Sequence, residues 1–85
     1  MYRIYDDVTA ELIDGCYILL KGNGDVATLN ETASFIWENL DKDMERQTDL
    51  FAAKYGIECE DAVADISRLV SEFLKYGLIT HNEEF

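Results

Sequence analysis

Asp41, Asp43 and Glu45 stand at alternate positions, the spacing with which a calcium loop begins to wrap carboxylate oxygens around the ion. Such a loop needs a glycine at its sixth position for the sharp turn and a bidentate glutamate at its twelfth. Arg46 and Ala52 stand there instead, so the run reads as a solvated acidic connection. Cys16 and Cys59 have neither CxxC spacing nor a histidine nearby, which argues against a zinc or redox motif and leaves two buried or half-buried thiols. His81, the single histidine, lies in the C-terminal tail with no second histidine and no recognisable serine or cysteine nucleophile to work with. Gly22-Asn23-Gly24 is too short to cradle a phosphate. No catalytic constellation assembles, so the chain is expected to be no enzyme and to hold no metal and no cofactor.

The remaining chemistry is recognition. Asp61, Asp65 and Glu72, with Arg68 among them, share one flank of a helical stretch. That row is either a solvated face or a charged rim that reads a basic or polar residue on a bound peptide. Eighteen acidic residues against seven basic ones give the 85-residue chain a net charge of -11. A polyanion would be repelled over most of such a surface, so nucleic acid is not an expected partner; a neutral or basic partner is. No apolar run approaches the roughly 20 residues that span a bilayer. The start, Met1-Tyr2-Arg3-Ile4-Tyr5-Asp6-Asp7, lacks the basic and apolar parts of a signal peptide. A cytoplasmic protein with no membrane partner is the expectation, folded as one domain over residues 1–85.

The elements that must position these groups follow from periodicity and turn chemistry. Residues 9–13, 16–21 and 25–29 read as an antiparallel meander, with Asp14-Gly15 and Asn23-Gly24 as two-residue type I′ turns. Residues 2–5 add a short strand or arm. Asn30 is a good N-cap, and Ala33, Ile36, Trp37 and Leu40 then share one helix face. Thr48 is placed to cap a second helix that carries Leu50, Phe51 and Tyr55 and stops at Gly56. A third helix is predicted over 60–76, with Gly77 after its end. Ala62, Ile66, Leu69 and Phe73 form its apolar stripe, and Val63, Val70 and Leu74 widen that stripe more than one packing neighbour requires. Residues 78–80 are extended, and the last few are expected to fray. The fold class is α+β, winged-helix-like: a three-stranded antiparallel sheet followed by three helices. That order invites a winged-helix transcription regulator, but the third helix sets only Arg68 and Lys75 against Glu60, Asp61, Asp65 and Glu72. A structural assembly subunit is the other alternative.

The run Leu29-Asn30-x-Thr32-Ala33-x-x-Ile36-Trp37-x-x-Leu40, with Asp65-Ile66-x-x-Leu69-Val70-x-x-Phe73-Leu74-x-x-Gly77-Leu78-Ile79 closing the chain, resembles the PqqD-like family. Its members are the peptide-recognition elements of pathways that make and modify ribosomal peptides. The likeness runs from about residue 8 to residue 79; many relatives carry a glycine soon after the first helix, where this chain has Asp41-Lys42-Asp43. The resemblance implies a non-catalytic module that binds the leader segment of a precursor peptide. The leader would add as a strand beside the third strand and pack against the third helix, for delivery to a modifying enzyme such as a leader peptidase, a cyclase or a radical SAM maturase. Asp25, Val26, Ala27, Thr28 and Leu29 would supply the edge, whose one charge, Asp25, defends it poorly. Val63, Ser67, Val70 and Leu74, or else the rim of Ile66 and Leu69, would hold apolar side chains, and Asp65 and Arg68 would read charge. A proline at Ala27 is expected to weaken binding by removing a ladder donor.

Overall fold

Two tight reversals fold the first third of the chain into a sheet. In the computed structural model, which describes residues 2–81, β1 is Tyr2–Ile4, β2 Thr9–Ile13, β3 Cys16–Leu20 and β4 Val26–Thr28. Asp14 and Gly15 both take positive φ, 52° and 81°, as a type I′ turn requires. The second reversal differs from the expected two-residue turn. Gly24 N–H donates to the Lys21 carbonyl at 3.0 Å and Lys21 N–H to the Asp25 carbonyl at 2.9 Å, so three residues, Gly22 to Gly24, form the loop. Only Gly24, at φ 93°, enters the left-handed region there. Asn23 avoids it because its side-chain oxygen accepts from Asp25 N–H at 2.9 Å and holds an Asx turn.

The strands pair antiparallel in the order β2-β3-β4, with Ala10 opposite Leu19 and Leu19 opposite Ala27. Period-two alternation turns Leu19, 0% exposed, into the core and leaves Leu20 and Val26 on the outer face. The arm and the tail close on each other: β1 pairs antiparallel with β5, Ile79–His81, with Ile4 opposite Ile79. The chain is therefore α+β with a three-stranded and a two-stranded antiparallel sheet, the second of which the sequence reading lacked. The fraying expected of the last residues concerns 82–85, outside the described residues.

Three helices, α1 (Glu31–Glu38), α2 (Met44–Tyr55) and α3 (Cys59–Lys75), separate β4 from β5. Asn30 caps α1 as its chemistry predicts, its side-chain oxygen accepting from Ala33 N–H at 2.9 Å. Thr48 does not cap α2. The cap lies five residues earlier, where the Asp43 carboxylate accepts from Arg46 N–H at 2.8 Å. Thr48 instead sits buried one turn in and donates its hydroxyl to the Met44 carbonyl at 2.7 Å. Asp43 prevails because a carboxylate at the N-cap both accepts from free amides and faces the positive end of the dipole. The apparent calcium loop is thus a helix start.

Ile36, Ile66, Leu78 and Ile79 join Leu19 as the most deeply buried side chains. Trp37 packs edge-on against Phe73, with ring centroids 5.5 Å apart, and is a core residue. Cys16 is half-buried, but Cys59, against expectation, is exposed: its spacing to Ala62 and Ile66 keeps it in line with the apolar stripe, but it is the first residue of α3, at the end of the stripe. Among the described residues no helix is long and apolar enough to cross a membrane.

Candidate peptide-binding groove

Hydrogen-bond phase decides what β4 offers to the outside. Lys21 N–H bonds to the Asp25 carbonyl and Leu29 N–H to the Tyr17 carbonyl at 2.8 Å. Antiparallel ladders alternate, so Asp25, Ala27 and Leu29 turn their backbone groups toward β3, while the N–H and C=O groups of Val26 and Thr28 point off the opposite edge. No described strand pairs with that edge. Ala27, expected to offer its amide outward, gives it to the sheet. A proline there would break the β3–β4 ladder, so it is the wrong probe of peptide binding.

The free edge opens on a cavity of about 550 Å³ between β4 and α3. Val26, Ala27, Thr28 and Leu29 form one wall, and Leu69, Glu72, Phe73 and Tyr76 form the other. Asn30 and Ala33, at the start of α1, line the cavity between the two walls, with Lys21, Asp25 and Leu78 completing the lining. Positions 69, 72, 73 and 76 are neighbours on a helical wheel, which is why one flank of α3 supplies the whole wall.

The structure brings Asp25 to Leu29 and Leu69 together in this groove and places the other candidates elsewhere. Val63, Ser67, Val70 and Leu74 recur at helical spacing on the opposite flank of α3. Val63 is exposed there, Val70 is buried and Leu74 is half-buried against the core. Ile66, 0% exposed, lies within the core. Asp65 is half-buried and Arg68 exposed, and neither lines the cavity. The residues not singled out beforehand for the groove are Lys21, Asn30, Ala33, Phe73, Tyr76 and Leu78. The sequence marks Glu72 only as part of an acidic row. Its i, i+4 spacing to Tyr76 and its place one turn beyond Leu69 carried the signal, but nothing in the sequence says which flank of α3 faces β4.

Two polar side chains, Ser34 and Lys21, hold the groove walls in place. The Ser34 hydroxyl, 3% exposed, accepts from Tyr17 N–H at 3.0 Å and donates to the Leu29 carbonyl at 3.4 Å, which ties the end of β4 to β3 and α1. At the other end Lys21 Nζ donates to the Tyr76 carbonyl at 2.9 Å, joining the turn before β4 to the C-terminus of α3. Gly77, at φ 71°, follows directly; a Cβ there would be strained by its φ and would come within 3.2 Å of Lys21 Nζ. A second cavity, about 390 Å³, lies among Asp14, Glu31, Glu38 and Lys54. Near it the Tyr17 hydroxyl donates to Glu38 at 3.0 Å, and partial burial, reinforced by Glu38, raises the Tyr17 pKa above its ordinary value. Burial, then the charge of Glu31, does the same at Tyr55. Among the described residues no three histidine, cysteine or acidic side chains are grouped to hold a metal ion.

An open strand edge facing a helix-lined groove is the geometry that strand addition by an extended peptide requires. Residues 15–79 match the PqqD family, coenzyme PQQ synthesis protein D, and the chain belongs to that family. Its fold is similar to that of TbiB1, solved in complex with the TbiA(beta) leader peptide: 24% identity, TM-score 0.87, with 96% of this chain and 99% of that chain covered. It is also similar to a lasso peptide synthetase B1 complexed with the leader peptide, at 25% identity and TM-score 0.87 over 94% of this chain and 98% of that chain. Comparison with curated proteins gave no match.

Proposed function

We propose that this protein is a non-catalytic recognition element, a single winged-helix-like domain that binds the leader segment of a ribosomally made precursor peptide. It hands the peptide to a modifying enzyme such as a leader peptidase, a cyclase or a radical SAM maturase. The observation that carries this reading is the unpaired edge of β4, whose outward Val26 and Thr28 backbone groups open on the groove against α3. A leader strand would satisfy those groups and continue the sheet. Its alternate side chains would enter the space beside Leu69 and Phe73, which supplies selectivity that backbone bonds lack. Family membership supports the reading, as does likeness to two proteins solved with leader peptides. The mechanism is affinity and delivery, with no bond made or broken, and a lasso-peptide pathway fits best.

The test is calorimetry with the leader peptide of the precursor encoded beside this gene. Saturable binding with a Kd below about 100 μM is expected, equivalent to more than about 5 kcal/mol of binding free energy. Absence of binding at that level contradicts the proposal.

A further inference from the structure

The groove is not electrically neutral. Two carboxylates, Asp25 and Glu72, line it from opposite walls, with Lys21 as the one cation in the lining. Lys21 is already committed: its ammonium donates to the Tyr76 carbonyl at the C-terminus of α3, where it offsets the negative end of a 17-residue helix. Neither carboxylate is offset in that way. Arg68 and Lys75 lie one turn to either side of Glu72 on α3, yet the ion pair found among the described residues is Lys42–Asp41, at 3.3 Å, far along the chain. Among the described residues the Asp25 carboxylate is met only by the neutral amide of Asn23, at 3.0 Å. Tyr76, 62% exposed, also lines the groove, and its ring offers a π-face to a cation.

Resting on the leader-binding reading above, we infer that this end of the groove reads a cation: a Lys or Arg side chain of the leader, held between Asp25 and Glu72 and against the ring of Tyr76. An extended peptide laid along β4 sends alternate side chains to the same side. One that carries a basic residue at the position level with Asp25 would meet both carboxylates, and the protein's net charge of -11 would steer it there. An arginine gains more than a lysine, because its planar guanidinium can stack on the tyrosine while its edge reaches a carboxylate. A leader with an acidic residue at that position is rejected.

The probe is the synthetic leader peptide of the neighbouring precursor gene, together with a set in which each Lys or Arg in turn is replaced by Gln. Kd is measured against the wild-type protein, Glu72→Lys and Asp25→Asn, with circular dichroism to verify that each variant is folded. One replacement is expected to weaken wild-type binding about fivefold, the scale of a partly exposed ion pair. Glu72→Lys should weaken the unmodified leader at least as much, and the same Gln leader should show little further loss against Glu72→Lys. A leader with that residue changed to Glu should regain affinity for Glu72→Lys. Undiminished binding by every Gln peptide and by Glu72→Lys overturns the cation reading while leaving leader binding intact. Failure of the wild-type protein to bind any leader peptide overturns the leader-binding reading, and the cation reading with it.

Discussion

The three-stranded sheet has two outer edges, and the proposed peptide site lies at the shorter one. The β2 edge is the longer, five residues against three, and all five are exposed, including Leu12 at 53%. By the ladder phase that puts Val26 and Thr28 on the free side of β4, Ala10 and Leu12 present their backbone groups on the free side of β2. If backbone hydrogen bonds alone made a peptide site, β2 would be the better one. Among the described residues, neither the groove lined by α3 nor the smaller cavity beside Asp14 is lined by a residue of β2. The lesson is that an edge supplies register-tolerant affinity and a neighbouring helix supplies selectivity; only β4 has both.

The largest effect should come from the stitch that holds the β4 end in place. Ser34→Ala leaves the partly buried Tyr17 amide without its side-chain acceptor and is expected to cost about 2 kcal/mol in urea denaturation. The counterpart on the other edge, the exposed Thr9 hydroxyl near the Leu20 carbonyl at 3.5 Å, should matter little: Thr9→Ala is expected to fall within about 0.5 kcal/mol of wild type. Equal losses would erase the difference between the edges. Next, Val26→Pro removes one outward donor at the first residue of an edge strand, where proline is tolerated. It should raise the leader Kd about tenfold, while Leu12→Pro leaves the Kd unchanged.

Much of this arrangement was legible in the sequence. Asn30 announced both the end of β4 and the start of α1, Asp14-Gly15 fixed the first hairpin, and the apolar spacing from Ala62 to Phe73 marked α3. These are local rules of capping, turn conformation and periodicity. What escaped depended on competition or on distance. Asp43 outcompeted Thr48 as a cap, and Asn23 used its own side chain to lengthen a turn. β1 found β5 across almost the whole chain, a pairing that no local signal encodes. The groove was half legible for the same reason. Its β4 wall is a contiguous run, whereas the choice between the Leu69 and Val70 flanks of α3 depends on how the helices pack. Asp65 and Arg68, expected to read charge, lie outside the groove lining, whose carboxylates are Asp25 and Glu72.

The smallest effect belongs to β3, the strand both edges share. Tyr17 holds its proton to higher pH in the folded protein than the unfolded value of about 10, so its share of stability is complete below that pH and is lost as pH rises through the folded value. Tyr17→Phe should therefore flatten the decline in stability above about pH 10, as followed by thermal melts across that range. An unchanged alkaline decline would show that the Tyr17–Glu38 contact contributes nothing at this end of the sheet.

The central claim concerns which edge the peptide joins, and amide hydrogen exchange resolved by NMR reads it residue by residue. On adding leader peptide, the amides of Val26 and Thr28 should become strongly protected while those of Ala10 and Leu12 exchange as before. Protection at Ala10 and Leu12, or saturable binding with no protection at Val26 and Thr28, would contradict it.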